Sequence, residues 1–335
     1  MIRFPLLPLI LCFWAELGGQ ETPTPLPGDT VTVVPAEYCE AGPLFSALAG
    51  AGYRELWAHP IRVPVADLDE LGGGGLTPMR LGGGMTTQTL HLRGADGHRY
   101  VFRSVRKNSR QALAEEYWGT PLEAIMQDQL CSFHPSGAVV VAPLLGAVGV
   151  LPPQPRLVVV PDDPRLEEFR EQFAGMLVLF EERPDDLPDG GAGFAGSRDI
   201  EQTDDFFEEM EDRPGDRLQA EEFLRSRLVD LLTGDRDRSI NNHLWARFDA
   251  DGDNHTWRVI PRDRDQAFVR FDGVLKAVGR RYEPRLVDFS GEYPGIRGLT
   301  RNAWDLDRNL LVGLSSEAWE RAVEDVRAAV TDEVI

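Results

Sequence analysis

Short stretches with apolar and polar residues in alternation predict strands in the first half of the chain. Residues 87–92 alternate at a period of two, and residues 100–105 form a second stretch of strand-forming residues. Between them, residues 94–97 have the Gly-Asp composition of a hairpin turn. Residues 61–65 contain a proline among β-branched residues and predict a short edge strand. This half of the chain is therefore expected to be rich in β-structure.

Apolar runs after this hairpin predict further elements. Residues 113–134 carry apolar side chains at helical spacing. The β-branched runs at residues 139–141 and 157–160 predict buried strands, and residues 173–180 predict another strand. Residues 185–196 form a polar loop rich in Gly, Pro and Asp.

The second half of the chain has more helical periodicity. Residues 220–233 place five apolar side chains on one face, and Gly234 follows as a helix-ending residue. Residues 316–330 predict a terminal helix. The pattern predicts an α+β protein with an N-terminal β-rich lobe at residues 41–160 and a mixed, mainly helical C-terminal lobe at residues 161–335.

A glycine-rich segment at residues 71–85 precedes the first predicted hairpin. It ends in Gly82, Gly83 and Gly84. Glycine permits positive φ angles and lets a backbone approach a ligand closely, although turns and linkers use such runs as often. These three residues are candidates for a ligand-covering loop.

The first residues have the composition of an export signal. A basic residue, Arg3, precedes an apolar run at residues 4–14, which is too short to span a bilayer as a helix. We predict a signal peptide at residues 1–19, a flexible linker at residues 20–40, and an exported mature chain. No other stretch is expected to cross a membrane.

Composition and cysteines narrow the possible functions. The 335 residues carry a formal net charge of -20, which repels phosphate backbones and argues against nucleic-acid binding. Cys39 and Cys131 would remain after cleavage. They could pair in an oxidising compartment, but an isolated buried thiol is the commoner state for each.

Two acidic segments flank a predicted hairpin. The first, residues 234–242, contains Asp235, Asp237 and Asn242, and the second, residues 261–268, contains Asp263 and Asp265. An Asp can accept the proton of a hydroxyl group while an Asn five residues later and an Asp returned by a hairpin hold a metal ion. Positioning and charge neutralisation supply most of what phosphoryl transfer needs.

Arginines are interleaved with these acids. Arg236, Arg238, Arg262 and Arg264 could contact phosphate, or they could form an ion-pair network with the carboxylates that only ties two loops together. Asp-Arg alternation is common in such structural networks. The order of the motifs favours a functional site.

The order of loop, hairpin and loop resembles the kinase-like fold of the CotH spore-coat kinases and the HipA-type kinases, and the chain is similar to uncharacterised bacterial exported proteins. The resemblance implies a bilobal, protein-kinase-like fold in which Asp237 is the catalytic residue and Asn242, with Asp263 or Asp265, binds metal. Ser239 replaces the histidine of the family's catalytic loop, and Arg262 replaces a tryptophan of its metal loop.

The resemblance also assigns residues of the N-terminal half to a nucleotide site. Gly82, Gly83 and Gly84 would cover the phosphates. Arg103 would take the place of the family's strand lysine, with Lys107 as the alternative, although Lys107 also suits a solvated charge. Glu123, on the following helix, would pair with Arg103.

The implied cofactors are ATP and Mg²⁺, and the implied partners are a nucleotide and a hydroxyl-bearing acceptor. The first functional hypothesis is therefore an exported phosphotransferase. The second is a non-catalytic envelope or surface protein with a degenerate kinase-like fold, which the residue replacements favour. A third, a metal-dependent phosphoryl hydrolase, would use the same carboxylates.

Overall fold

The computed structural model of the protein describes residues 25–187, 190–250, 254–292 and 295–334, so that the predicted signal peptide lies outside the described residues. The strands within these ranges are β1 (Thr30–Val33), β2 (Ile61–Pro64), β3 (Leu76–Gly83), β4 (Gln88–Gly94), β5 (Arg99–Ser104), β6 (Arg156–Val159), β7 (Leu177–Arg183), β8 (Asp199–Glu201), β9 (Arg217–Leu218), β10 (His243–Asp249) and β11 (His255–Pro261). The helices are α1 (Pro43–Ala49), α2 (Arg54–Ala58), α3 (Pro121–Gln129), α4 (Gly137–Ala147), α5 (Arg170–Phe173), α6 (Thr203–Asp212), α7 (Ala220–Leu232), α8 (Val274–Gly279), α9 (Ile296–Thr300), α10 (Trp304–Leu310) and α11 (Ser316–Ala329).

The N-terminal lobe is built on a five-stranded antiparallel sheet in the order β3-β4-β5-β7-β6. Leu90, Phe102 and Phe180 are register partners across its three central strands, and all three are buried in one core. Because side chains alternate along a strand, Arg103 and Glu181 lie on the opposite face, which is turned toward the C-terminal lobe. The alternation therefore separates core residues from site residues.

The C-terminal lobe combines a smaller sheet, in the order β8-β10-β11-β9, with helices. Its core holds Trp245 and Trp257 of the β10–β11 hairpin, packed with Phe206 of α6 and Phe223 of α7. Both tryptophans are fully buried. The hairpin is thereby fixed against the helical part of the lobe, and its ends carry the two acidic segments.

The predicted α+β architecture is confirmed, with a β-rich N-terminal part and a mainly helical C-terminal part. The predicted boundary at residue 160 is too early, because β7, which ends at Arg183, belongs to the N-terminal sheet. The strand predicted at residues 139–141 is wrong, since these residues lie in α4. Short apolar runs fit a buried helix as well as a strand. The helix predicted from residue 113 begins only at Pro121.

The N-terminal segment is more ordered than the predicted linker at residues 20–40. Thr30–Val33 pair with Ile61–Pro64 in an antiparallel ribbon. Cys39 and Cys131 form a disulfide with a Cα–Cα distance of 5.6 Å, so the expectation of two isolated thiols is wrong. The disulfide joins the N-terminal segment to the region between α3 and α4.

Helical structure between residues 121 and 147 includes the one described stretch that is long and apolar enough to cross a membrane by length and composition. The expectation that no such stretch exists beyond the N-terminus is therefore wrong on those two criteria. Val141 and Leu145 are nevertheless fully buried in the core of the C-terminal lobe, and Cys131 is tied to Cys39. The stretch thus forms part of the core.

Candidate functional site

The β10–β11 hairpin brings the two acidic segments together. His243 and Pro261 are register partners at its open end, and the Arg262 amide donates to the Asn242 carbonyl at 3.1 Å. We refer to residues 235–242 as the acidic loop and to residues 262–268 as the return loop. They lie side by side because the hairpin between them is paired along its whole described length.

Arg238 joins these two loops from the inside. Its guanidinium is fully buried and donates to the carbonyls of Asn242 at 2.7 Å, Arg262 at 2.9 Å and Asp263 at 3.1 Å. Guanidinium presents its donors in a rigid fork, which suits several carbonyls at once. Arg238 therefore fixes the backbone of both loops in one arrangement.

A buried ion-pair network continues inward from Arg238. Arg264 donates to Asp235 at 3.2 Å and to Asp230 of α7, which also pairs with Arg227. Burial alone would raise the pKa of the Asp230 carboxyl, but the neighbouring guanidinium groups hold it at about 2. The structural interpretation of the Asp-Arg alternation is thus correct for Asp235, Arg238 and Arg264.

Other residues of the same loops face outward. The Asn242 side-chain amide donates to the Asp237 carbonyl at 2.6 Å, which leaves the amide oxygen as its remaining acceptor. Asp237 is partly exposed, and its carboxylate accepts from the Asn302 side chain at 3.3 Å. The segments with alternating Asp and Arg therefore contain two groups of residues. One group is buried and fixes the loops, and the other faces outward and contains the candidates for catalysis and metal binding.

Asp263 and Asp265 lie on the return loop at the edge of the cleft between the lobes. Asp263 has a left-handed backbone (φ 56°), which Asp tolerates better than most residues. The negative charge of Asp265, together with burial, raises the pKa of the Asp263 carboxyl. Burial acts to raise the pKa of Asp265 as well, but the Lys107 ammonium outweighs it and the pKa falls below its usual value. The two carboxylates thus repel each other at close range.

Two cations of the N-terminal lobe reach these carboxylates. Arg103 of β5 lies 3.6 Å from Asp263, measured between Nη1 and Oδ1, and Lys107 donates to Asp265 at 2.5 Å. Lys107 is buried, so its interpretation as a solvated charge is wrong. Arg103 and its alternative from the sequence, Lys107, therefore both contact the return loop. Arg103 contacts Asp263, and Lys107 contacts Asp265.

The predicted pair of Arg103 and Glu123 is wrong. Arg103 pairs instead with Glu181 of the neighbouring strand β7, with 3.3 Å between Nη2 and Oε1. Glu123 lies in the first turn of α3, where it accepts from Arg110 at 2.6 Å and from the Gly119 amide at 2.5 Å. The late start of α3 places Glu123 at a separate surface cavity.

A cavity of about 230 Å³ lies in the cleft between the lobes. Its lining includes five of the site residues predicted from the sequence: Gly83, Gly84, Arg103, Asn242 and Asp263. The third predicted glycine, Gly82, does not line it. Gly82 packs against His91, where an added Cβ would lie 2.5 Å from Nε2. Asp265 lines a smaller adjoining cavity. Asp237, the predicted catalytic residue, lines neither of these two cavities, and its carboxylate contacts Asn302.

Three titratable residues of this cavity were not identified as site residues from the sequence: His91, Glu181 and Arg183. Burial and the surrounding guanidinium groups lower the pKa of His91 to about 4, so it is neutral at pH 7. Burial raises the pKa of Glu181. The sequence gives little signal for Glu181, because it begins a charged run, Glu181 to Arg183, directly after the strand predicted at residues 173–180.

His243 lies four residues after Ser239 of the acidic loop. It is fully buried, and its Nδ1 lies 2.9 Å from the Ser239 carbonyl. Burial holds its pKa well below the usual value, so the ring is neutral. A histidine four residues later thus contacts the backbone of the acidic loop.

No protein-family model and no curated protein matches the chain significantly. Solved structures that match include the proinflammatory kinase CtkA of Helicobacter pylori, with 12% identity and a TM-score of 0.31 over 77% of this chain and 94% of that chain. The Rio2 kinase of Chaetomium thermophilum, solved as an ADP/Mg²⁺-phosphoaspartate complex, matches with 12% identity and a TM-score of 0.29 over 76% of this chain and 72% of that chain. Likenesses at this level concern the fold alone and carry no argument about chemistry.

Proposed function

We propose that the protein is an exported kinase-like protein that binds a nucleoside triphosphate with Mg²⁺ between its lobes and transfers a phosphoryl group to a hydroxyl-bearing acceptor. The observation that carries the proposal is the convergence of Arg103, Asn242 and Asp263 on one cavity, with Asp265 beside it. These residues come from both lobes and from three separate parts of the chain. Glycine backbone at Gly83 and Gly84 lines the same cavity.

The residues of the return loop suit a divalent cation. Mg²⁺ in phosphoryl-transfer proteins commonly uses one or two protein carboxylates and takes its other ligands from phosphate and water. Among the described residues no three acidic, histidine or cysteine side chains cluster as a complete metal site. Mg²⁺ would be held by the carboxylates of Asp263 and Asp265 and by the amide oxygen of Asn242. When bound, it would neutralise phosphate charge.

The repulsion between the two return-loop carboxylates supports this assignment. A cation between Asp263 and Asp265 would relieve the repulsion that raises the pKa of Asp263. Arg103 and Lys107 already offset part of the negative charge of these two carboxylates. Arg103 is also placed to bind a phosphate oxygen, because it lies on the wall of the cavity with 28% of its side chain exposed.

Asp237 is the candidate base. Its carboxylate is partly exposed, and its backbone carbonyl is held by Asn242. Asn302 contacts one carboxylate oxygen, which orients the group and leaves the other oxygen to accept a proton from a hydroxyl group. The bond from the terminal phosphorus of the nucleoside triphosphate to its bridging oxygen would break, releasing the nucleoside diphosphate. That phosphorus would bond to the acceptor oxygen while the hydroxyl proton moves to Asp237.

Export is supported by the disulfide. Disulfides form and persist in oxidising compartments and are uncommon in the reducing cytoplasm. The bond between Cys39 and Cys131 is therefore in keeping with the signal peptide expected at residues 1–19.

A non-catalytic binding protein with the same fold is the second candidate. It is favoured by the ion pairs that Asp263 and Asp265 already make with Arg103 and Lys107, because a carboxylate held by a cation is a weaker metal ligand. Ser239, in place of the family's histidine, points the same way.

Thermal unfolding with ATP tests the proposal. We expect ATP to raise the midpoint of wild-type protein with Mg²⁺ and much less with EDTA, and Asp263→Asn to reduce the difference between the two conditions. Asp212→Asn, at the exposed end of α6, is the matched control and should behave as wild type. Absence of any shift in wild-type protein would overturn nucleotide binding.

Asp237→Asn separates catalysis from binding. Phosphorylation of an acceptor, or release of phosphate from ATP, should disappear in this variant while the Mg²⁺-dependent shift persists. If neither wild-type protein nor variant transfers phosphate but both show the shift, the non-catalytic candidate is correct. Release of phosphate without any acceptor would identify a hydrolase instead.

A further inference from the structure

Three arginines line the cleft cavity, each from a different element. Arg103 comes from β5, Arg183 ends β7 and Arg262 begins the return loop. The Arg183 guanidinium lies 3.3 Å from Nδ1 of the neutral His91, and Arg262 donates to the Asn241 carbonyl at 3.0 Å. Three guanidinium groups thus meet around one small space.

The carboxylates of the lining do not balance these cations. Glu181 and Asp263 are the acidic residues of the cavity wall, and both contact the Arg103 guanidinium, at 3.3 Å and 3.6 Å. Neither Arg183 nor Arg262 forms an ion pair with these two carboxylates, and Arg183 pairs instead with Asp185 at 3.9 Å. Such crowding of like charges costs free energy that a multiply charged anion would recover.

The negative net charge of the chain makes the arginine-lined cavity more specific for polyanions. Its net charge of -20 repels anions in general, so a polyanion gains attraction only where cations converge. Arginine forks bind phosphate oxygens in pairs, and the glycines at positions 83 and 84 bring backbone to the same wall. The chemistry of the cavity therefore fits a chain of phosphates.

The cavity has little room for the nucleobase of a nucleotide. Its volume of about 230 Å³ is below the range of roughly 300–1,000 Å³ usual for sites that enclose a drug-sized ligand. The adjoining apolar cavity, walled by Ala138, Ala142, Leu145, Pro152 and Leu179, offers only about 30 Å³. An aromatic base is normally held in an apolar slot, and this one has space for no more than a few water molecules.

Resting on the proposed function, we infer that the cleft recognises its phosphoryl donor through the phosphate chain alone, and that a short linear inorganic polyphosphate binds as well as a nucleoside triphosphate. In transfer from such a donor, the bond from the terminal phosphorus to its bridging oxygen breaks. A bond from that phosphorus to the acceptor oxygen forms. The polyphosphate leaves one phosphate shorter, and the hydroxyl proton passes to Asp237.

Calorimetric titration of the mature full-length chain with Mg²⁺ tests this inference, using tripolyphosphate, ATP and adenosine as probes. We expect the dissociation constants of tripolyphosphate and ATP to agree within about threefold, and adenosine neither to bind nor to displace ATP. Arg183→Met should weaken both phosphate ligands by about tenfold, the equivalent of roughly 1.4 kcal/mol. Arg327→Met, on the exposed face of α11, is the matched control and should change neither.

The outcomes distinguish this inference from the function on which it rests. ATP binding more than tenfold tighter than tripolyphosphate, or displacement of ATP by adenosine, would show that the base is recognised and would overturn the inference while leaving the proposed function in place. Binding of neither phosphate ligand would overturn both. Equal weakening by Arg183→Met and Arg327→Met would show attraction by general charge, and would also overturn the inference.

Discussion

Asn242 donates its side-chain amide hydrogen to the backbone carbonyl of Asp237, 2.6 Å away across one turn of the acidic loop. The bond orients both residues at once. It holds the side chain of Asn242, which lines the cleft cavity, and it fixes the backbone that carries the Asp237 carboxylate. The proposed metal ligand and the proposed base therefore depend on one another.

Substitutions at Asn242 should separate these two roles. Asn242→Ala removes the donor and the oxygen, so we expect it to abolish the Mg²⁺-dependent part of the ATP thermal shift and to lower stability by about 1 kcal/mol. Asn242→Asp keeps an oxygen ligand and loses the donor, so it should retain Mg²⁺ dependence at reduced stability. Asn309→Ala, at an exposed position of α10, serves as control. Full Mg²⁺ dependence in the alanine variant would exclude Asn242 as a ligand.

Removing Arg238 should strongly destabilise the protein. Arg238→Met leaves Asp235 short of a partner and three loop carbonyls without their donor, and breaking a buried ion pair costs about 3–5 kcal/mol. Urea unfolding at pH 7 measures the loss. Arg198→Met removes a pair with Asp249 whose arginine side chain is 58% exposed, and should cost less than about 1 kcal/mol. Similar losses in the two variants would contradict the buried network.

Stability should fall as the pH decreases below about 6.5, in part because of His243. The unfolded chain takes up a proton on this histidine near its ordinary pKa of about 6.5, whereas the folded protein holds the pKa well below that value. The stability is therefore present above the unfolded pKa and is lost as the pH falls, by at most about 1.4 kcal/mol per pH unit for this group. His243→Gln should reduce the slope of unfolding free energy between pH 7 and pH 5.

His59→Gln, at an exposed position just after α2, is the control for this experiment. It should leave the slope as in wild-type protein. An unchanged slope in His243→Gln would show that this histidine is not held neutral.

Loss of the disulfide should destabilise the N-terminal segment together with the rest of the fold. The bond joins residues 92 positions apart, and removal of a native disulfide typically costs about 2–5 kcal/mol. We expect Cys39→Ser with Cys131→Ser to lower the urea midpoint, and a reducing agent to produce a similar loss in wild-type protein. The double variant itself should not respond to the reducing agent. A reductant effect of equal size in the double variant would contradict this assignment.

Local pattern was sufficient for much of the fold and for bringing the two acidic segments to the ends of one hairpin. Strands β4 and β5, helix α7 and the β10–β11 hairpin follow from periodicity and turn residues, since each is specified by neighbours in sequence. The apolar run at residues 139–141 shows the limit, because a buried helix and a buried strand can share such a run. Only the packing of α4 in the core decides between them.

Contacts between distant residues account for the errors at the site. The partner of Arg103 is Glu181, 78 positions away, and it is set by the register of β5 and β7, which no local pattern contains. The pairing of Cys39 with Cys131 depends on tertiary structure in the same way. The division of the Asp-Arg segments into inward and outward residues likewise follows from how the hairpin packs.

The fully buried Arg238 has a consequence for the energetics of recognition. Because its guanidinium holds carbonyls of both loops through protein contacts alone, the loops are already ordered before any ligand arrives. Binding of the proposed ligand would therefore carry a smaller entropic penalty than at a site that folds around its ligand. Pre-organisation of this kind should appear in calorimetry as a binding entropy that differs little among ligands sharing the same phosphate chain.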